Sequence, residues 1–409
     1  MSTESTSPPA ACDLVVIGGG ILGLAVSREL LGRHPGMSLC VLEREATLGA
    51  HQTTHSSGVI HAGIYYAPGS LKARLCVEGA RDLYAYCDER GISARRDGKL
   101  IVATREQDLR RLDELERRGI ANEVPGLRRV AGADIREIEP HARGLAALHS
   151  PHTGLVDFGA VAASYAADVE KAGGNVVTSC AVDALEAHGD RITVKHARGT
   201  TDADFVVACA GAWSDRLAVA SGAPEEPRIV PFRGAYLRVR PERSDLVRSN
   251  IYPVPDPDLP FLGAHLTRTF DDQVLLGPTA LLVGARDAYR LLRVRPRDLA
   301  SSLAWPGTWK LMRRFWRSGA TEISHAVNRR ALVREAQRFV PELGPADFEP
   351  GPSGIRAQAV NRDGSLVDDF VVHRTERALH VRNAPSPAAT SSLAIARLIA
   401  DEADVEIAA

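Results

Sequence analysis

Lysine is scarce in this 409-residue chain: Lys72, Lys99, Lys171, Lys195 and Lys310 are the only lysines among 50 basic residues. Set against 51 acidic residues they leave a net charge of −1, which excludes a nucleic-acid-binding polycation and an acidic solvating chain as descriptions of the whole. Aromatic residues are sparse at 5%, yet 44% of the chain is hydrophobic. That is enough for two or three folding units with large cores, so disorder is excluded as the dominant state. None of the six cysteines, Cys12, Cys40, Cys76, Cys87, Cys180 and Cys209, forms a C-x-x-C pair. No metal site or dithiol motif is expected, and cysteines lying in apolar runs suit free thiols in a reducing, intracellular compartment. Long apolar runs are missing too. Leu14 to Val26 is 13 residues long and broken by four glycines, short of the roughly 20 that a membrane-spanning helix needs. Met1 to Asp13 carries no Lys or Arg, so no secretory leader is expected.

What is present begins at the amino end. Asp13 to Ile17 is a short β-branched run that reads as a strand buried on both faces. It leads into Gly18-Gly-Gly20-Ile21-Leu22-Gly23 and then into residues at helical spacing. In Gly18-x-Gly20-x-x-Gly23 the first glycine permits a tight turn, the second lets the backbone approach a pyrophosphate, and the third allows close helix–strand packing. The helix amino terminus then presents free N–H groups to the phosphates. A second strand, Ser38 to Leu42, ends in Glu43, 20 residues after Gly23, where a carboxylate accepts hydrogen bonds from a ribose hydroxyl. A dinucleotide, FAD or NAD, is indicated.

Downstream, the run from His51 to Lys72 is dense in hydroxyls, glycines and histidines: HQTTHSSGVIHAGIYYAPGSLK. It resembles the L-2-hydroxyglutarate oxidases and dehydrogenases of the D-amino-acid-oxidase-like FAD oxidoreductases, whose signature reads HQTGHNSGVIHAGIYY. Thr54 and Ser57 depart from it. The resemblance continues through Ser150 to Phe158, Phe205 to Trp213, Pro231 to Tyr236 with Ala235 in place of Glu, Ile251 to Pro257, Phe261 to Arg268, Gly354 to Val360 and Asn383 to Thr390.

The resemblance implies an α/β fold: a Rossmann-like FAD-binding domain with a parallel sheet (residues 10–90, 146–225 and 350–409) and a discontinuous mixed-sheet substrate domain (91–145 and 226–349). It implies FAD held without a covalent bond by Gly18, Gly20, Ile21, Leu22, Gly23, Glu43, Arg44, Thr53, Ser56, Ser57, Gly58, His61, Val182, Ala210, Gly211, Trp213, Gly354, Asn383, Ser386, Pro387 and Ala388. The implied reaction is oxidation of L-2-hydroxyglutarate to 2-oxoglutarate, with oxygen or a quinone as electron acceptor. Two rivals stay open, an amine or amino-acid oxidase of the same superfamily and a flavin-binding subunit without catalysis.

Such a reaction needs a base for the hydroxyl proton and cationic clamps for two carboxylates. Histidine suits the first because its ordinary pKa of ~6.5 lies near working pH, and His61 and His265 are the candidates. Arginine suits the second because its planar fork meets a carboxylate in two parallel hydrogen bonds. Arg356 is the first choice and Arg233 the second, with Tyr65 and Tyr252 as hydroxyl donors.

Charge is also unevenly placed. Between Ala285 and Arg338 there are 13 basic and four acidic residues, a local excess of +9 that leaves the rest of the chain at −10. Trp305, Trp309, Met312 and Trp316 would share one face of a helix here, the pattern of an amphipathic helix lying on an anionic membrane surface. A helix docked on the protein's own core is the alternative. The expected location is the cytoplasm, with peripheral attachment to the cytoplasmic face of the inner membrane as the further expectation.

Overall fold

The computed structural model describes residues 7–257, 259 and 261–407. Two large sheets organise them. The first has eight strands, in the order Val182–His188, Arg191–His196, Gly199–Ala208, Ala11–Ile17, Leu39–Leu42, Asn175–Val177, with Ala378–Asn383 also pairing with Gly199–Ala208 and Val371–Thr375 pairing with Ala378–Asn383. Ala11–Ile17 sits between two parallel neighbours. Leu14, Val15 and Val16 are fully buried, which is why the run is apolar throughout rather than alternating. Helices Ile21–Arg33, Leu71–Arg90, Phe158–Lys171 and Ser392–Ile407 share the main core with this sheet.

The second sheet has nine strands and is mixed. Its one parallel pair joins Lys99–Ala103 to Asn250–Pro253. Its longest ladder is antiparallel, Arg228–Val239 against Phe348–Val360, with a register shift between Ala235 and Leu237. Ala146–Ser150 and Phe348–Val360 both belong to this sheet, so the boundaries expected at 146 and 350 fall inside the mixed sheet. Burial gives no warning of that, because apolar strands of either sheet read alike. A small sheet, Val59–Ile60, Gly154–Val156 and Ala94–Arg95, lies beside them.

The segment 285–338 is not one amphipathic helix. It forms Pro296–Ala304, Pro306–Arg314, Trp316–Val327 and Arg329–Gln337. Pro306 disfavours helical geometry in the residue before it, and Trp305 is extended there (φ −80°, ψ 117°). Trp305 consequently turns inward, 4% exposed, and its indole N–H donates to the Val360 carbonyl. Trp309, Met312 and Trp316 remain exposed. The charge excess at the surface is smaller than the count, because Arg286 is buried against Asp215, which lies outside the segment.

The Arg286–Asp215 pair joins the two halves. Asp215 lies in the helix Ser214–Ala220 after the first sheet's longest strand, and it accepts from the Ile229 N–H of the second sheet at 3.0 Å. Arg286 donates to Asp215 and to the carbonyls of Ala212 and Ile229. Removing one member of a buried pair leaves the other charge uncompensated, at a cost of about 3–5 kcal/mol. Asp215→Ala should therefore lower the urea midpoint of the FAD-loaded protein strongly; an unchanged midpoint would show the pair to be dispensable.

Candidate active site

A cavity of about 1560 Å³ runs between the two sheets, larger than the 300–1,000 Å³ usual for a single small ligand. At one end lies the glycine turn. Gly18 has φ +109°, and a Cβ on it would come within 2.4 Å of the Cys209 carbonyl oxygen; a Cβ on Gly23 would meet the Gly18 carbonyl at 1.9 Å. Both positions are closed to any side chain. Gly20 caps the helix Ile21–Arg33 without a side-chain hydrogen bond, and the Ile21 N–H is held by Thr53 Oγ1 at 3.1 Å. Leu22 and Gly23 thus bring helix amides to the cavity wall.

Glu43 is 7% exposed. One carboxylate oxygen accepts from the Gly19 N–H at 2.6 Å and the other from the Glu45 N–H at 2.8 Å, fixing the acid at the end of its strand. The Arg44 guanidinium lies 4.1 Å over the Trp213 ring, and Val182, Ala210 and Gly211 complete that end. A glycine cradle without side chains, a helix terminus and a fixed buried carboxylate are the donor set an ADP moiety requires, so these residues fit FAD.

The other end is lined by His61, Tyr65, Tyr252, His265, Gly354, Arg356 and the loop Asn383 to Ala388. Arg356 is an exposed side chain on the cavity lining, and its guanidinium lies 4.4 Å from the centre of the Phe261 ring. Its guanidinium has no ion pair among the described residues. His265 Nδ1 lies 2.9 Å from the Gly263 carbonyl, which assigns the proton to Nδ1 and leaves Nε2 with its lone pair. Its ring stacks on Tyr252 at 4.0 Å and 26°. Burial first, then the positive charges of Lys99 and Arg356, pushes His265 down to about 4. Burial and Lys99 push His61 down to about 3. Both imidazoles are neutral at pH 7. Burial raises Tyr65 and Tyr252, so both phenols keep their protons.

The cavity gathers every expected site residue except two. Gly58 lies behind the wall, with φ +74° and its carbonyl accepting from the Val156 N–H. Arg233 faces away. In the ladder Phe232 is opposite Arg356 and Arg233 opposite Ile355, and side chains alternate along a strand. Phe232 therefore shares the cavity face with Arg356, while Arg233 donates to the Tyr289 carbonyl. Arg233 is thereby removed as the second clamp.

Two contributors escaped the sequence reading. Tyr289 stacks on His55 at 3.9 Å and hydrogen-bonds His51, which also bonds Glu45. Lys99 sits behind the wall, its Nζ 4.6 Å from the Tyr65 ring and 5.0 Å from the Tyr252 ring. The available cue was a rare lysine opening the apolar run Leu100 to Ala103.

The tight turn at Gly18, where a Cβ would collide with the Cys209 carbonyl, predicts that Gly18→Ala will yield protein with a markedly lower flavin-to-protein absorbance ratio; a fully loaded variant would show the turn to be dispensable for holding the cofactor.

The model of the FAD dependent oxidoreductase family matches residues 13–402. The chain is 47% identical to the human protein named L-2-hydroxyglutarate dehydrogenase, mitochondrial, covering 95% of this chain and 88% of that one. It is 39% identical to the L-2-hydroxyglutarate dehydrogenase of Indibacter alkaliphilus, covering 93% and 96%. In fold it is similar to L-alpha-glycerophosphate oxidase from Mycoplasma pneumoniae with FAD bound, at TM-score 0.75 and 20% identity over 95% and 93% of the two chains. Glycine oxidase from Geobacillus kaustophilus follows at 0.70 and 20%, over 96% and 94%. With the cradle, the carboxylate and the matched length in agreement, the chain belongs to the FAD dependent oxidoreductases and, among them, to the L-2-hydroxyglutarate dehydrogenase family.

Proposed function

We propose that this protein oxidises L-2-hydroxyglutarate to 2-oxoglutarate. The observation that carries the reading is an arginine without an ion pair and a neutral, oriented histidine on the wall of the cavity that holds the FAD cradle. Bound FAD supplies the hydride acceptor for the hydrogen on Cα. Arg356 receives the substrate's α-carboxylate in two parallel hydrogen bonds. His265, fixed through Nδ1 by Gly263, takes the hydroxyl proton on Nε2. His61 lines the same chamber, and Ser386 Oγ lies 3.4 Å from its Nε2.

Anaerobic mixing with L-2-hydroxyglutarate should bleach the flavin, whereas glycine, sarcosine and D-amino acids should leave it oxidised; the reverse pattern would make the protein an amine oxidase. Reoxidation of the reduced enzyme by oxygen or by a soluble quinone then identifies the acceptor. Arg356→Ala should raise KM by roughly 10²-fold or more with FAD retained, and an unchanged KM removes it from the clamp. His265→Asn should slow flavin reduction by about 10²–10⁴-fold. A base with a lowered pKa loses activity only as pH falls through that lowered value. With His265 at about 4, kcat/KM should stay flat from pH 8 down to about 5, and an acid limb near the ordinary histidine value would exclude it.

The second reading concerns location. No helix among the described residues is long and apolar enough to cross a membrane. Leu292 (93% exposed), Trp309, Trp316, Ile323 and Val327 nevertheless crowd exposed apolar side chains into one basic segment, beside Lys310, Arg313, Arg314 and Arg317. Apolar anchors amid basic residues suit an anionic lipid surface, supporting peripheral attachment of a cytoplasmic enzyme to the inner membrane, within reach of a quinone. Flotation with phosphatidylglycerol vesicles should carry the protein at low salt, and Trp309→Ser with Trp316→Ser should release it. Failure to float at low salt would refute the attachment.

A further inference from the structure

With Arg233 turned away, the α-carboxylate has Arg356; of the other cations on the cavity wall Arg111, Arg118 and Lys72 are paired with Asp256, Glu114 and Asp368, while a buried cation without a carboxylate partner lies behind the wall at the histidine end. Lys99 opens the strand Lys99–Ala103 and is 1% exposed. Its register partner in the parallel pair is Asn250. Nζ lies over two aromatic rings, 4.6 Å from the centroid of Tyr65 and 5.0 Å from that of Tyr252. No carboxylate pairs with it among the described residues, and Cys76 is the one group that favours its charged form. A buried ammonium without a counterion is costly, so its retention calls for an anion.

In front of Lys99 stands Tyr65, on the cavity wall. Its hydroxyl is buried and has no hydrogen-bond partner. An unmade hydrogen bond at a buried hydroxyl costs about 1–3 kcal/mol. A cation over the face of a phenol draws electron density toward itself and makes the O–H a stronger donor. Tyr252 stacks on His265, and His265 feels both Lys99 and Arg356, so the histidine sits in a chamber with one cation on the wall and the other behind it.

We propose that Lys99 and Tyr65 form the subsite for the substrate's second carboxylate: Tyr65 Oη donates the hydrogen bond and Lys99, through the ring, supplies the compensating charge. Lys99 is a positioning residue that acts through Tyr65 and sets the preference for dicarboxylates over monocarboxylates. The assignment rests on the 2-hydroxy-acid reading above.

The test compares L-2-hydroxyglutarate with L-2-hydroxypentanoate, which has the same chain length and lacks the second carboxylate. In the FAD-loaded wild type kcat/KM should favour the diacid strongly. Lys99→Met should reduce that selectivity ratio by at least ~10-fold, mainly through KM for the diacid, and Lys99→Arg should restore most of it. Tyr65→Phe removes the hydroxyl alone and should lower the ratio in the same direction, which keeps the proposal testable should Lys99→Met fail to fold. Equal losses on both acids, or an unchanged ratio in Tyr65→Phe, would overturn the assignment. A wild type reduced by neither acid would instead overturn the substrate reading, and the assignment with it.

Discussion

The buried pair of Arg286 and Asp215 is the constraint on which the remainder of the molecule depends. It lies where the helix that follows the cofactor sheet's longest strand meets the first residues of the strand that leads into the substrate chamber. Asp215 accepts from Ile229 while Arg286 reaches back to Ala212. The spacing between cradle and clamp is thus set by a charged contact excluded from water, which tolerates little displacement. Catalysis by hydride transfer is sensitive to separations of about 1 Å, so a rigid junction serves the chemistry as well as stability.

The chamber's electrostatics follow from two cations near His265, Arg356 and Lys99, neither of which makes an ion pair among the described residues. Arg356 and Lys99 both bear on His265, and Lys99 and Lys72 bear on His61. Positive surroundings and burial work in the same direction on an imidazole, favouring its neutral form. The same field attracts a dianion. A dianion bound there would offset the charges that hold His265 deprotonated, making it more basic in the role proposed for it.

Much of this was legible in the sequence because it rests on local rules. The strand, glycine turn, helix and Glu43 follow from backbone sterics and from hydrogen-bonding requirements that only those residue types meet. The flavin-side loops were read through resemblance, and nearly all of their residues reach one wall. Three features were not legible for physical reasons. Arg233 and Arg356 are alike in motif context, and only the pairing of Phe232 with Arg356 shows which of them faces inward. Trp305 has the helical spacing of its neighbours, but Pro306 breaks the helix and sends it into the core. Lys99 belongs to no motif; its meaning depends on Tyr65 and Tyr252, which approach it from other segments.

The order of strands in the first sheet bears on how the holoenzyme is made. Its nucleotide-binding half is assembled from residues 11–42 and 175–208, whereas Ala378–Asn383, which pairs with Gly199–Ala208, and the loop that follows it come from the end of the chain. During synthesis the adenosine cradle can close while half of the polypeptide is still to be made. The flavin wall cannot, because Asn383 to Ala388 have yet to leave the ribosome. Closure of the flavin wall therefore waits on the strand Ala378–Asn383 and the loop after it, which are made long after the segments of the adenosine cradle.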